Sequence, residues 1–287
     1  MLGEFIRHSL FVIRHSSGAR MSVLAIDVGN SRVKLGVFTQ GKSQDPAVSI
    51  AHAQVEAELP GILADLWQKT QAATKENEDE TSGIALASVV PALSAKIENL
   101  IKQTLAQEPV VIGRDVMPPL KTTLKDERTV GLDRVLGALA AYVNVEHACV
   151  IVQAGSALVV DCIDDEGVFR GGSIGPGLAM GAKALHQHAA QLPEVTLNPP
   201  AVATTPEDAF GRNTEEAINL GLFAGARGAV RELVERYATA LGSWPHVVAT
   251  GGDAQALLGE SDFVDSFVPD LVLQGAALVW EHSREGA

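Results

Sequence analysis

Apolar residues in this chain fall into two alternating patterns, short unbroken blocks and longer stretches with helical spacing. The unbroken blocks at 23–26, 84–90, 110–112, 150–152, 158–163 and 247–250 predict strands buried on both faces. Residues 33–38 alternate apolar with polar and predict a partner strand, with Gly41 marking the hairpin end. Helical spacing over 55–70, 93–105, 133–145, 176–191, 215–241, 253–258 and 271–280 predicts helices. The polar, acidic stretch 74–82 reads as a solvated loop, and 113–128, with two prolines and mixed charge, as a long one. Loops of that length inside compact domains are often functional. Strands alternating with helices imply an α/β layer structure.

One plan occurs twice. Residues 23–42 and 150–167 each give a strand, a glycine-containing polar turn and a returning strand. Two such units suggest two similar lobes with a cleft between them. The expected division is an extension over 1–20, a first lobe over 21–138 opening at Met21, and a second lobe over 139–287. The apolar patch at 10–13 is too short to span a bilayer, so a weak targeting segment is the other reading of 1–20.

Composition narrows the partners. A net charge of -13 argues against a nucleic acid, whose phosphates reward a basic face, but not against a nucleotide held by a few amides and a metal. The apolar residues never gather into a membrane-length run, so no membrane is expected. Cys149 and Cys162 both lie in strand-like blocks, which points to inert thiols in a reducing, cytoplasmic setting.

Five segments carry candidate chemistry, each with a plain structural alternative. Asp27, Val28, Gly29, Asn30 and Ser31 end a buried strand, where a carboxylate can hold magnesium and small residues can meet a phosphate; an ordinary Asx hairpin explains them equally well. Lys34 either adds a cation there or faces solvent. Gly131, Leu132, Asp133 and Arg134 open a helix. Helix electrostatics alone would favour Asp133 in a first turn, while the fork of Arg134 suits a carboxylate or phosphate. Gly155, Ser156 and Ala157 form either a phosphate turn or a tight hairpin. The glycine-rich 171–177 precedes a helix and is a candidate anion-binding turn or a strand-to-helix connection. Gly251, Gly252 and Asp253 are a nucleotide cover or a simple junction. None is a Walker loop or a dinucleotide fingerprint, and the eight histidines have no metal-ligand spacing.

Taken in order, 27–34, 87–91, 131–134, 171–177, 213–216 and 250–252 resemble the type III pantothenate kinases, within the sugar kinase, actin and heat-shock ATPase superfamily. The resemblance runs from Val23 to the C-terminus. It implies two ribonuclease-H-like lobes with an interlobe active-site cleft, and ATP-dependent phosphorylation of pantothenate at the start of coenzyme A synthesis. It assigns Asp27, Val28, Gly29, Asn30, Ser31, Arg32, Val33, Lys34 and Ser156 to ATP, with Asp27 toward magnesium. Gly131, Leu132, Asp133, Arg134 and Thr214 would bind pantothenate, with Asp133 accepting the proton of its primary hydroxyl. Thr214 would act across a homodimer interface near the active site. Gln153 stands where the family usually has an aspartate that binds potassium or ammonium, Asp126 and Glu127 replace a usual Asn-Pro, and Leu158 replaces a common threonine. These departures keep two further readings open: a non-catalytic, ligand-binding regulator of the Bvg accessory factor type, and a superfamily kinase for another hydroxylated substrate.

Overall fold

The computed structural model describes residues 21–74, 81–126, 129–200 and 205–285. The extension expected over 1–20, most of the acidic loop near 74–82, and Glu127 lie outside the described residues. In chain order the elements are β1 (Met21–Val28), β2 (Arg32–Thr39), β3 (Lys42–Ser43), β4 (Val48–Ala51), α1 (Val55–Ala72), β5 (Thr81–Ser88), α2 (Pro91–Leu105), β6 (Val110–Val111), β7 (Lys121–Thr122) and α3 (Leu132–Val145). They continue with β8 (Cys149–Ala154), β9 (Ala157–Ile163), β10 (Val168–Pro176), α4 (Leu178–His188), α5 (Thr214–Leu241), β11 (His246–Thr250), α6 (Ala254–Leu258), β12 (Ser266–Phe267) and α7 (Leu271–Glu285). Single 3₁₀ turns lie at His52–Gln54 and Pro206–Ala209.

The chain divides into two compact units. The first takes the chain up to Glu146, Asp165–Phe169 and everything from Asp270; the second takes His147–Asp164 and Arg170–Pro269. In the first, the sheet runs β3-β2-β1-β5-β6, with β4 also on β2. The β1–β2 pair is antiparallel, and β1–β5 and β5–β6 are parallel. Its core joins Leu24, Ile26, Leu35, Ile84 and Leu86 of the strands to Leu59, Leu63, Ile97 and Ile101 of α1 and α2. In the second, β9 pairs antiparallel with β8, β8 parallel with β11, and β11 parallel with β12. The hairpin-plus-parallel-strands plan of β2-β1-β5-β6 thus recurs as β9-β8-β11-β12, as the repeated pattern in the sequence implies.

The C-terminal helix belongs to the first unit, and its glycine contacts show how tightly. A Cβ on Gly83 of β5 would stand 2.2 Å from the Trp280 ring, and one on Gly275 would stand 2.2 Å from the Leu136 carbonyl of α3. Helix α7 therefore lies against both the sheet and the α3 backbone, closer than any side chain permits. Buried Glu281 accepts the Gly41 N–H at 2.9 Å and ties the β2–β3 turn to α7. Helix α3 is buried at every position from Leu136 to Val143, as an all-round apolar helix must be.

Several local expectations change. Of the segment 171–177, residues 171–176 are the second half of strand β10 and not a turn; only Gly177, which caps α4, is the strand-to-helix connection. A Cβ on Gly172 would meet the Val160 carbonyl at 2.1 Å, so this glycine is there for close strand packing. The loop expected over 113–128 contains β7, which pairs parallel with Val168 and Phe169. The strands β3, β4 and β12 have no counterpart in the sequence pattern, because runs of two to four residues are too short to carry a period.

Candidate active site

In the first unit, segment 27–34 is one hairpin. Strand β1 delivers Asp27, the turn is closed by the Gly29 N–H donating to the Arg32 carbonyl at 3.1 Å, and the ladder sets Asp27 opposite Lys34. Val28 and Val33 face each other in the core, so only their backbone could meet a ligand. Arg32 is engaged with β4: its Nε donates to Ser49 Oγ at 2.7 Å and Nη2 to the Ser49 carbonyl at 3.1 Å. Gly29 has no left-handed backbone, and a Cβ there would meet only the Arg32 carbonyl at 3.4 Å, an ordinary contact. The fold does not require glycine at 29. Close approach by a ligand supplies a reason for it. His52 Nε2 lies 2.9 Å from the Gly29 carbonyl and fixes the far side of the turn. Nothing in the sequence signalled that contact.

Lys34 is held. Its Nζ donates to Asp270 Oδ1 at 2.7 Å, with the two side chains 33% and 23% exposed. Asp270 immediately precedes α7, 236 positions away in sequence. The reading of Lys34 as a solvent-facing residue is thereby replaced.

Asp133 is the second residue of α3, and its Oδ1 accepts the Arg134 N–H at 3.0 Å. The Arg134 guanidinium lies 5.8 Å from the centroid of the buried Phe169 ring, which orients its fork. Asp27 registers the whole cluster. Its carboxyl is pushed up to about 7, first by burial, next by the negative charge of Asp133, with Asp270 adding to the effect and Lys34 opposing it. Asp27 and Asp133, 106 positions apart by their numbers, therefore share one electrostatic environment, together with Lys34 and Asp270.

Asp27, Asp133 and Asp270 gather around the one ammonium of Lys34, an acidic setting that a magnesium ion would relieve. Among the described residues no three His, Cys, Asp or Glu side chains form a ready-made metal cage. That fits magnesium, which is commonly held by one or two carboxylates plus substrate phosphates and water. Asp27, at the end of β1, is a carboxylate that could hold such an ion.

The second unit gathers another set. The 3.1 Å bond from the Gly155 N–H to the Ala157 carbonyl makes the expected β8–β9 turn, with Ser156 exposed at its tip. A Cβ on Gly177 would stand 2.0 Å from the Gly155 carbonyl, so the start of α4 sits directly on this turn. Gly251 is explained by the junction reading: it is left-handed, φ 102, and a Cβ would stand 2.1 Å from the Ala154 carbonyl. Gly155 and Gly252 have open space where a Cβ would go. Burial raises the Asp253 carboxyl beside them. Gln153, at the end of β8, has a buried Nε2 with no hydrogen-bond partner. A cation site needs oxygen, and an N–H donor pointing inward does not fit potassium or ammonium there.

Thr214 is the exposed first residue of α5. The Asn213 Oδ1 accepts the Glu216 N–H at 2.9 Å, and Glu216 Oε2 accepts the Arg212 N–H at 2.8 Å, so this helix start is firmly capped. Around it lies a cavity of about 530 Å³ lined by Asn198, Phe210, Arg212, Asn213, Glu216 and Asn219, among others, and by none of residues 153–157.

Two sheets built on β-hairpins of the same plan, each hairpin closed by a small polar turn, define an α/β protein of two similar units. The family model for type III pantothenate kinase matches residues 23–236. A type III pantothenate kinase of Dehalococcoides mccartyi is 33% identical over 264 residues, covering 91% of this chain and 98% of that protein. That of Moorella thermoacetica is 32% identical, covering 91% and 99%, and that of Geobacter sulfurreducens 30%, covering 92% and 100%. Among solved structures, a Baf family protein from Campylobacter jejuni shares the fold with a TM-score of 0.57 at 21% identity, covering 91% of this chain and 99% of that one. The chain belongs to the type III pantothenate kinase family.

Proposed function

We propose that this protein transfers the terminal phosphoryl group of ATP to the primary hydroxyl of pantothenate, giving 4'-phosphopantothenate, the first step of coenzyme A synthesis. The observation that carries the reading is the family match over residues 23–236, with named relatives 33% and 30% identical over more than nine-tenths of the chain; the coupling of Asp27 to Asp133 agrees with it. Phosphoryl transfer through a loose transition state needs alignment and charge stabilisation more than a strong base. Asp133 hydrogen-bonds the acceptor hydroxyl and takes its proton late, as the new P–O bond forms. The start of α3 after Gly131, which presents backbone N–H groups, orients the acceptor together with Leu132 and the Arg134 fork over Phe169. The turn after Asp27 offers backbone and the Asn30 and Ser31 side chains to the nucleotide, and Lys34 supplies positive charge to its phosphates. Magnesium, when bound with ATP, spreads the charge of the phosphates, and Asp27 is its carboxylate in this reading.

The same reading assigns Ser156 to ATP and Thr214 to pantothenate held by a partner copy. In this reading the exposed apolar side chains of Ile174, Met180 and Phe210 are ones a partner copy would cover. A cytoplasmic setting follows from the metabolic role. Among the described residues no helix is long and apolar enough to cross a membrane. Both cysteines are free and buried, and burial raises their thiols, that of Cys162 to about 12.

The test is direct. Purified protein with ATP, magnesium and pantothenate should yield phosphopantothenate by mass spectrometry, and a panel of sugars and short hydroxy acids should not be phosphorylated. Nucleotide binding with no product from pantothenate would reject this reading in favour of a ligand-binding regulator, and product from another alcohol would move it to a different acceptor.

A further inference from the structure

Lys34 and Asp270 form the closest charged contact beside Asp27, and neither the fold nor helix capping accounts for it. Lysine carries a compact charge on a flexible stem, so its placement must come from a partner. Lys34 stands in the middle of a three-strand ladder, with Asp27 on one side and Ser49 on the other. Its ammonium leaves that ladder to meet Asp270 at 2.7 Å. Asp270 occupies the residue before α7, and its carbonyl accepts the Gln274 N–H at 3.1 Å, which is the usual duty of a helix-capping residue. An aspartate there would ordinarily turn its carboxylate to the first helical amides. Here Oδ1 goes to Lys34. The backbone is also unusual: Asp270 has φ 56, a left-handed conformation that L-residues avoid and that recurs where function over-determines geometry. Two things keep Asp270 in place. The close approach of Gly275 to Leu136 anchors the first turns of α7, and Gln274 Nε2 donates to the Gly41 carbonyl at 3.0 Å.

We propose that Asp270 is a positioning residue that sets the Lys34 ammonium for the phosphates of the bound nucleotide. The inference rests on the kinase reading above and adds a member to its machinery from the far end of the chain. An ammonium has three donors. The bond to Asp270 fixes the direction of one, leaving the others directed by the same rotamer. The carboxylate acts through Lys34 and touches no substrate itself.

A double-mutant cycle tests this, because a merely structural Asp270 would not distinguish the two backgrounds. Asp270→Asn and Asp270→Ala are made in the native protein and in Lys34→Ala, with thermal unfolding to confirm folding; the near-isosteric asparagine covers the case in which alanine disrupts the start of α7. Turnover is followed with pantothenate. Binding is followed by calorimetry with a non-hydrolysable ATP analogue and magnesium. The expected result is a fall in kcat of about tenfold from Asp270→Asn, with a smaller change in the KM for ATP, and almost no further fall in the Lys34→Ala background. Strictly additive effects of the two substitutions, in turnover and in nucleotide binding alike, would overturn the proposal. Absence of phosphopantothenate from the unmutated protein would instead reject the kinase reading, and coupling or additivity in the calorimetry would then decide the role of Asp270 alone.

Discussion

Asp133, in the first turn of α3, helps to keep a proton on Asp27, at the end of β1: the Asp27 carboxyl is pushed up to about 7, by burial first and by Asp133 next.

That coupling predicts an unusual dependence on pH. The folded-state value of Asp27 lies above the reference value of 3.8. The native protein therefore binds more protons than the unfolded chain between those limits, and the stability contributed by this group is complete below about pH 4 and is lost as the pH rises through 7. Asp27→Asn should consequently melt higher than the native protein at pH 8, by at most about 4 kcal/mol, with the gap closing toward pH 4. Differential scanning calorimetry across that range checks it; a gap that is the same at both ends would show that Asp27 is not held neutral by the fold. The same variant should lose activity if the ionised carboxylate meets the metal–nucleotide, as proposed above.

Asp133→Asn retains size and helix-forming capacity but cannot accept the hydroxyl proton. Its kcat should fall on the order of 10²–10⁴-fold, the usual contribution of a general base. Calorimetric affinity for an ATP analogue should hold. A variant that keeps more than half of native turnover would remove Asp133 from the proton-accepting role.

Two glycines should respond in opposite ways to the same substitution. Gly275→Ala places a methyl 2.2 Å from a backbone carbonyl, which must shift α7 against α3. Overpacking of this kind costs about 1–3 kcal/mol, readable as a lower urea midpoint. Gly155→Ala meets nothing within 4 Å and should leave stability unchanged while raising the KM for ATP, if the space over that turn is where a ligand comes close. Equal destabilisation by both would refute this contrast.

Gln153 makes a prediction about ions. Its buried Nε2 is a donor without a partner, so turnover should be indifferent to exchange of potassium for sodium or tetramethylammonium. Gln153→Asp, which supplies charged oxygen in place of that donor, should introduce a dependence on the monovalent cation. A native enzyme that stops in sodium would mean that this amide presents its oxygen inward instead.

The local pattern carried much of the architecture. Strands such as β1 and β8 are unbroken apolar runs because both their faces are covered, and α3 is apolar all round because it is buried all round; each fact is written in consecutive residues. The Asp27 turn and the Asp133 helix start were legible for the same reason, since a turn and a first helical turn are local chemistry. Local pattern also misled, at 171–176, where glycines suited to a turn prove to be strand residues, with Gly172 pressed against the Val160 carbonyl. What the sequence could not disclose was which distant residues complete the set. Asp270 reaches Lys34 across 236 positions, and His52 reaches Gly29 from the turn after β4. The first contact exists only because α7 returns to the first sheet and fits its Gly275 backbone onto Leu136, the second because β4 pairs with β2. Periodicity records whether a residue is buried; the identity of its neighbour is set by packing between elements that the chain brings together only once it is folded.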